Sequence, residues 1–224
     1  MPIAASAESR GPIAAWGIVL AAGRGERFGG RKQFLTAAGH RLVDLAVTTL
    51  AETCRNTVLV LPPDTAWDGP AVDQVVPGGP DRPSSVQAAL AAIDDHSGIV
   101  VVHQAANPLA SAATVRRLIE AVEQGADAAC PGLRPSDVVR ATRGELVGDV
   151  VGRDDLILVQ TPTAFRLEVL RAAHGAGLRA LEDTALVTTL GYEVTIVPGD
   201  PQNIHVTTDA ELQMVDALLR LREQ

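Results

Sequence analysis

Trp16-Gly17-Ile18-Val19-Leu20-Ala21-Ala22-Gly23-Arg24-Gly25-Glu26-Arg27-Phe28-Gly29-Gly30-Arg31-Lys32-Gln33 joins an apolar run of strand length to a glycine-rich, cationic segment. Trp16–Leu20 reads as a buried strand, because a run that is apolar on both of its alternating faces has to be covered on both. The small residues after Leu20 let the backbone pass close to a ligand, and the glycines permit positive φ. Successive exposed N–H groups in such a loop form an anion cradle. Arg24, Arg27, Arg31 and Lys32 place four positive charges within nine positions of a chain whose net charge is −8. In an acidic protein a handler of phosphates must concentrate its positive charge locally, and a triphosphate is the ligand that matches this cluster.

Two commoner phosphate loops are excluded by the residues themselves. A Walker A loop needs Gly-Lys followed by Ser or Thr, whereas Lys32 follows Arg31 and precedes Gln33. A dinucleotide fingerprint needs a glycine three positions after Gly25, and that residue is Phe28.

Outward from this stretch, apolar runs alternate with segments of helical period. Leu42–Cys54 predicts a helix, and Thr57–Leu61 and Gln74–Val76 predict strands stopped by Pro62-Pro63 and Pro77-Gly78-Gly79-Pro80. Ser84 opens the next predicted helix, with Gln87 as its capping-box partner and Val86, Ala89, Leu90 and Ile93 on one buried face. Ile99–Val102 is a further apolar strand, and Val115, Leu118, Ile119 and Val122 form a helical stripe closed by Gly125. Asp127–Cys130 and Tyr192–Val197 return to the sheet. Thr208-Asp209-Ala210-Glu211 is a capping box for a last helix whose stripe is Leu212, Val215, Leu218 and Leu219. The alternation predicts an α/β fold, a mainly parallel twisted sheet with helices on both faces. Residues 133–158 break the rhythm with short alternating stretches such as Asp137–Ala141, and predict a β-arm protruding from a single domain over 14–224.

Composition narrows the function classes. Hydrophobic residues make up 46% of 224, enough for one core, but aromatics are only 3%, so Val, Leu, Ala and Ile must fill it. A chain with neither aromatic platforms nor a basic stripe is not built to read nucleic acid. Residues 1–13 lack the basic start and continuous apolar centre of a signal peptide and read as a disordered tail. No apolar run approaches about 20 residues, so no membrane span is expected and the cytoplasm is the expected compartment. Cys54 and Cys130 follow neither a disulfide framework nor a zinc pattern and read as small core residues.

The loop resembles the signature Leu-x-Ala-Ala/Gly-Gly-x-Gly-x-Arg…Lys of sugar-nucleotide-type nucleotidyltransferases. Gly78-Gly79-x-x-Arg82-x-Ser84-Ser85-Val86, Val102-His103-x-Ala105-Ala106, Gln160-Thr161-Pro162 and Asn203-Ile204-x-Val206-Thr207 then follow in order. Together, over residues 16–221, they resemble the 2-C-methyl-D-erythritol 4-phosphate cytidylyltransferase family of isoprenoid biosynthesis. The resemblance implies attack by a phosphorylated polyol on the α-phosphate of CTP, loss of pyrophosphate, Mg²⁺ as divalent cation, and a homodimer interlocked through the arm. It implies that Ala21, Ala22, Gly23 and Gly25 border the nucleotide. Gly79, Arg82 and Ser85 would help hold it, Arg27 and Lys32 would stabilise charge on the triphosphate, and Arg153 would position the substrate phosphate. Such a transfer is mainly alignment and charge stabilisation, which suits a cationic clamp rather than a nucleophilic side chain.

Departures from the family pattern collect on the acceptor side. His103-Gln104-Ala105-Ala106-Asn107 stands where the family has His-Asp-Ala-Ala-Arg, and His205 stands for a lysine. Leu181 and Val138 replace threonines, and Pro80 replaces an aspartate. Gln104, Asn107 and His205 are therefore the altered substrate-binding positions. Two other readings share the nucleotide loop: a nucleotidyltransferase with a different acceptor, and a nucleotide-binding paralogue without turnover. Lys32 and Arg27 favour a working enzyme; Gln104 favours the other two.

Overall fold

Eight residues, Ile13–Leu20, form the central strand on which the other layers assemble. In the computed structural model, residues 13–23, 25, 30–96, 98–178 and 180–222 are described. Residues 1–12 of the expected tail, and Arg24 and 26–29 of the cationic loop, lie outside them. In chain order the elements are β1 (Ile13–Leu20), β2 (Thr36–Ala37), β3 (His40–Arg41), α1 (Leu42–Ala51), β4 (Cys54–Leu61), β5 (Gln74–Pro77), α2 (Arg82–Ala91), β6 (Ile99–Gln104), α3 (Ala112–Glu123), β7 (Ala128–Leu133), β8 (Arg140–Arg143), β9 (Leu146–Val150), β10 (Leu158–Val159), β11 (Thr163–Arg166), α4 (Leu167–Gly175), α5 (Asp183–Thr189), β12 (Val194–Pro198) and α6 (Asp209–Arg222).

The main sheet runs β10-β7-β11-β6-β1-β4-β5, with β12 also paired to β7. The pairs β1–β4, β1–β6, β4–β5 and β7–β12 are parallel. The sheet is nevertheless mixed, because β11 runs antiparallel between β6 and β7, and β10 runs antiparallel to β7. Strand β11 has no counterpart in the periodicity: it is four residues long, follows Pro162, and has only Phe165 as a bulky apolar residue.

Period-two alternation sends Ala15 and Val19 of β1, Leu59 and Leu61 of β4, and Val101 of β6 to one face, where α1 and α3 cover them. Ile18, Val58, Val60, Val100 and Val102 go to the other face, beneath α2, α4 and α5. Val115, Leu118, Ile119 and Val122 are all buried, as their spacing requires. Cys54 and Cys130 are buried and free, and burial pushes their thiols up to about 12 and about 11. No helix among the described residues is long and apolar enough to cross a membrane.

Two helix boundaries differ from the periodicity for local reasons. Helix α1 stops at Ala51, and Cys54 opens β4 instead of closing the helix. Thr53 Oγ1 donates back to the Thr49 and Leu50 carbonyls and so satisfies the helix end. Helix α2 starts at Arg82, not Ser84: Asp81 caps it by accepting from the Ser84 N–H, and Pro83 lies in the first turn, where no N–H is needed. Gln87 is no capping partner; its amide donates to the His174 carbonyl. At α6 the Thr208–Glu211 box does form, with Glu211 accepting from the Thr208 N–H at 2.7 Å. Val215 and Leu219 are buried there, while Leu212 and Leu218 are only partly so.

The chain leaves β7 at Leu133 and returns at Leu158, which are paired residues. Between them β8 and β9 form an antiparallel hairpin in a separate two-stranded sheet, turned at Gly144 with φ +63°. Val138, Leu146, Val147 and Val150 of this arm are 65–73% exposed.

Candidate active site

From β1 the chain builds β4 and β5 on one side, then crosses to lay β6 on the other. The two directions of winding part between β1 and β6, leaving a crevice at the carboxyl ends of these strands. Leu20 and Gln104, the last residues of the two strands, are register partners there. A cavity of about 290 Å³ opens above them. Ala21, Ala22, Gly23, Gly25 and Lys32 line it from the loop after β1, Gly79 lines it from the β5–α2 connection, and Arg82 and Ser85 line it from the first turn of α2.

The loop is held from beneath. Gln33, 4% exposed, donates its amide to the Ala21 and Gly23 carbonyls at 2.7 and 3.0 Å. Those carbonyls are thereby occupied. Gly25 has φ +65°, and a Cβ there would lie 1.6 Å from the Gly30 carbonyl oxygen. Lys32 reaches across the crevice, donating to the Val206 carbonyl at 2.6 Å with His205 Nε2 at 3.5 Å. Arg31 is exposed and lies 3.5 Å from Thr65 Oγ1, outside the cavity. Arg27 falls outside the described residues.

The opposite wall depends on close backbone approach. A Cβ on Gly78 would sit 2.2 Å from Ala22 Cβ, and one on Gly79 would sit 2.3 Å from Ser84 Cβ. Ser85 Oγ accepts from the Gly79 N–H at 3.1 Å and donates to the Asp81 carbonyl at 2.9 Å, so it orders the glycine turn. Arg82 is not an open cation: its two terminal nitrogens bind both oxygens of buried Asp183 at 2.8 and 2.6 Å.

A second cavity, about 280 Å³, adjoins the first and shares Arg82, Gln104 and His205 with it. Its remaining lining is rich in neutral amides: Asn107, Gln160 and Asn203, beside Glu182 and the apolar Leu133, Leu158 and Val159. Gln160 donates to the Asp200 and Asn203 carbonyls and accepts from the Asp200 N–H, while Asn203 donates to the Thr161 carbonyl. Asn107 is buried, with Nδ2 3.5 Å from Asn203 and Oδ1 without a partner among the described residues. His103 beneath it is fully buried, and desolvation lowers its imidazole to about 3, so it is neutral at ordinary pH. Glu182 is occupied as the cap of α5, accepting from the Thr184 and Ala185 N–H groups. Arg153 lines neither cavity; it is exposed on the arm and donates to the Ser136 carbonyl. Leu181 is 96% exposed and lines neither.

The model of the 2-C-methyl-D-erythritol 4-phosphate cytidylyltransferase family matches residues 15–221. The chain belongs to this family. It is 36% identical over 223 residues to 2-C-methyl-D-erythritol 4-phosphate cytidylyltransferase of Saccharopolyspora erythraea, covering 90% of this chain and 97% of that one. It is 38% identical to the bifunctional enzyme IspD/IspF of Ruegeria pomeroyi over 91% of its own length, but spans only 56% of that relative. The crystal structure of the cytidylyltransferase from Thermus thermophilus superposes with a TM-score of 0.80 at 32% identity, covering 91% of this chain and 98% of that one.

Magnesium, which the family resemblance implied, does not find a protein ligand set in the described residues. Gln104, at the position where the resemblance implied an acid, offers a neutral amide, a weak ligand for a hard cation. Asp81, the carboxylate lining the first cavity, accepts from Ser84 N and Oγ as a helix cap. No group of three His, Cys, Asp or Glu able to hold a metal occurs among the described residues. Several members of the site went unassigned in the sequence. Gln33 and Asp81 have roles set by which carbonyl or N–H lies beside them. Asp183 meets a partner 101 positions away. The one legible hint was Asp81-Arg82-Pro83, a capping residue with proline two positions on.

Proposed function

We propose that the protein is a CTP-dependent cytidylyltransferase in which the phosphate of a phosphorylated polyol, 2-C-methyl-D-erythritol 4-phosphate by family, attacks the α-phosphorus of CTP and expels pyrophosphate. The observation that carries this reading is the pair of joined cavities. One has a glycine-lined wall and a lysine; the other is lined by amides; Arg82, Gln104 and His205 stand where they meet. Two substrates held on either side of that junction have their reacting phosphates adjacent, and alignment supplies most of what such a transfer needs.

In this reading Ala21, Ala22, Gly23 and Gly25 let the triphosphate approach the backbone, and the Gly79–Ser85 turn takes the cytidine. Lys32 stabilises the charge that develops on the bridging and equatorial oxygens as pyrophosphate leaves, with Arg27 as a second cation. Gln104, Asn107 and His205 face the polyol with hydrogen-bonding groups. The acceptor cavity of one chain carries little net positive charge, and Arg153 stands apart on an arm with an apolar exposed surface. That combination favours a homodimer in which the arm brings Arg153 to the acceptor cavity of a second copy. A divalent cation, where bound, would have to draw its ligands from the triphosphate and water rather than from a protein carboxylate set.

The test is release of pyrophosphate by the purified protein with CTP, Mg²⁺ and 2-C-methyl-D-erythritol 4-phosphate. Turnover that needs all three and is lost in Lys32→Ala is the expected result. Saturable CTP binding without turnover on this polyol, but with turnover on another alditol phosphate, would move the acceptor assignment and leave the nucleotide half standing. CTP binding with no turnover on any of them would overturn the enzymatic reading.

A further inference from the structure

Three side chains remote in sequence meet behind the junction of the two cavities. Arg82 opens α2, His174 lies in the last turn of α4, and Asp183 opens α5. Asp183 is 1% exposed, and its carboxylate receives Arg82 Nη1 and Nη2 at 2.8 and 2.6 Å and faces His174 Nε2 at 3.0 Å. Burial alone would raise the Asp183 carboxyl. The hydrogen bonds from His174 and Arg82 outweigh it and hold the group below the ordinary carboxylate range. An ionised carboxylate only accepts, so His174 Nε2 carries the proton and donates it.

The arrangement has a direction. Neither Asp183 nor His174 lines either cavity, whereas Arg82 lines both. The bidentate pair uses one N–H from each terminal nitrogen of Arg82 and fixes the plane of the guanidinium. Each terminal nitrogen keeps a second N–H for the cavity wall, whereas Nε is buried without a partner among the described residues and is out of a ligand's reach. The imidazole behind Asp183 satisfies a further lone pair of the oxygen that binds Nη1 and restrains the carboxylate from turning. The pair also links α2 to α5, two helices covering the same sheet face, so Arg82 is anchored to rigid elements rather than to the loop.

We propose that Asp183 and His174 are positioning residues, which hold the Arg82 guanidinium at the wall shared by the two substrates so that its free donors meet the reacting phosphates. This rests on the cytidylyltransferase reading above. It predicts that an unligated, swinging Arg82 is a poor substitute for a fixed one, and that the two buried residues act on catalysis only through it.

The experiment compares Asp183→Asn, His174→Leu, His174→Gln, Arg82→Ala and the double variant Arg82→Ala/Asp183→Asn, each verified as folded by circular dichroism at the assay temperature. The double variant leaves no uncompensated buried charge, so its folding is the safeguard. Asp183→Asn and His174→Leu are expected to lose about 10- to 100-fold in kcat/KM for pyrophosphate release, the scale on which misplacing a catalytic group acts. The loss should fall mainly on kcat. His174→Gln, whose amide can donate in place of Nε2, should recover most of it, and the double variant should be no slower than Arg82→Ala alone. A folded Asp183→Asn with the rate of the unaltered protein would overturn the proposal, as would losses that multiply in the double variant. If the unaltered protein releases no pyrophosphate, the cytidylyltransferase reading fails, and calorimetric CTP affinity decides this one. Weaker binding in Asp183→Asn, with no further loss in the double variant relative to Arg82→Ala, would support it; unchanged binding would overturn it.

Discussion

Replacing Gly25 by alanine should separate the nucleotide loop from the fold that carries it. At φ +65° an L-residue adopts the left-handed region, which costs roughly 1–2 kcal/mol for a residue with a Cβ. The added carbon would also lie 1.6 Å from the Gly30 oxygen and 2.7 Å from its carbonyl carbon, where contacts below 3.0 Å are not tolerated. Both neighbours are backbone, so no rotamer change relieves the clash and the two sides of the turn must part. Strain of roughly 1–2 kcal/mol alone lowers the population of the closed loop about 5- to 30-fold, and the apparent Kd for CTP rises by the same factor. The clash makes this a lower bound. Opening the loop relieves the strain locally, so the thermal midpoint should move by no more than about 2–4 °C. Gly39→Ala is the control. Gly39 has φ +84° with no atom within 4 Å of the added carbon and lies outside both cavities, so it should lose stability without losing CTP affinity. Calorimetric titration with CTP, beside melting curves, reads both quantities. A Gly25→Ala protein that binds CTP as the unaltered one does would refute the reasoning.

Lys32→Ala is expected to lower kcat about 10²- to 10³-fold, as loss of one preorganised donor at a developing charge does, and steady-state pyrophosphate release measures it. Gln104→Asp should lower the Mg²⁺ concentration for half-maximal rate; an unchanged Mg²⁺ dependence would show that residue 104 lies away from the metal. Folded-state stability should fall as pH drops below 6.5, because the unfolded imidazole of His103 takes up a proton that the buried ring refuses until about pH 3. Urea midpoints above and below pH 6.5 should therefore change less in His103→Gln. Replacing residues 140–150 by a two-residue turn, where Val139 and Val151 are already hydrogen-bonded, should leave a folded but monomeric protein that has lost turnover. Sedimentation and the pyrophosphate assay test this; a shortened protein that is still dimeric and fully active would remove the β8–β9 hairpin from the dimer contact and from turnover.

What could be read from the sequence was what is coded by neighbours along the chain. The continuous apolar runs of β1, β4 and β6, which have to be covered on both faces, and the period near 3.6 in α3 are local consequences of burial, so the layered α/β architecture followed. The loop from Leu20 to Lys32 was legible for the same reason, since Ala21, Ala22, Gly23, Gly25 and Lys32 lie close together in the chain and line one cavity, although Arg31 lies outside it. The capping box at Thr208–Glu211 was correct, whereas at α2 Asp81 and Ser84 were both eligible caps, and only the backbone geometry chose between them. Strand β11 was invisible because four residues give no period; its place is set by β6 and β7, which it joins.

At the site itself, sequence determined the inventory and tertiary structure determined the use. Lys32 was read as a triphosphate cation and does line the crevice, but its hold on the Val206 carbonyl, 174 positions away, was not readable. Arg82 was read as one more nucleotide contact; the fold gives it to Asp183 and places His174 behind, joining three helices at a junction of two cavities. No pattern of local spacing encodes such a meeting, because a charge finds its partner through the packing of the elements that carry it. The residues and their chemistry are written in order along the chain, but which of them share one buried, low-dielectric space is decided only when the sheet and its helices close around it.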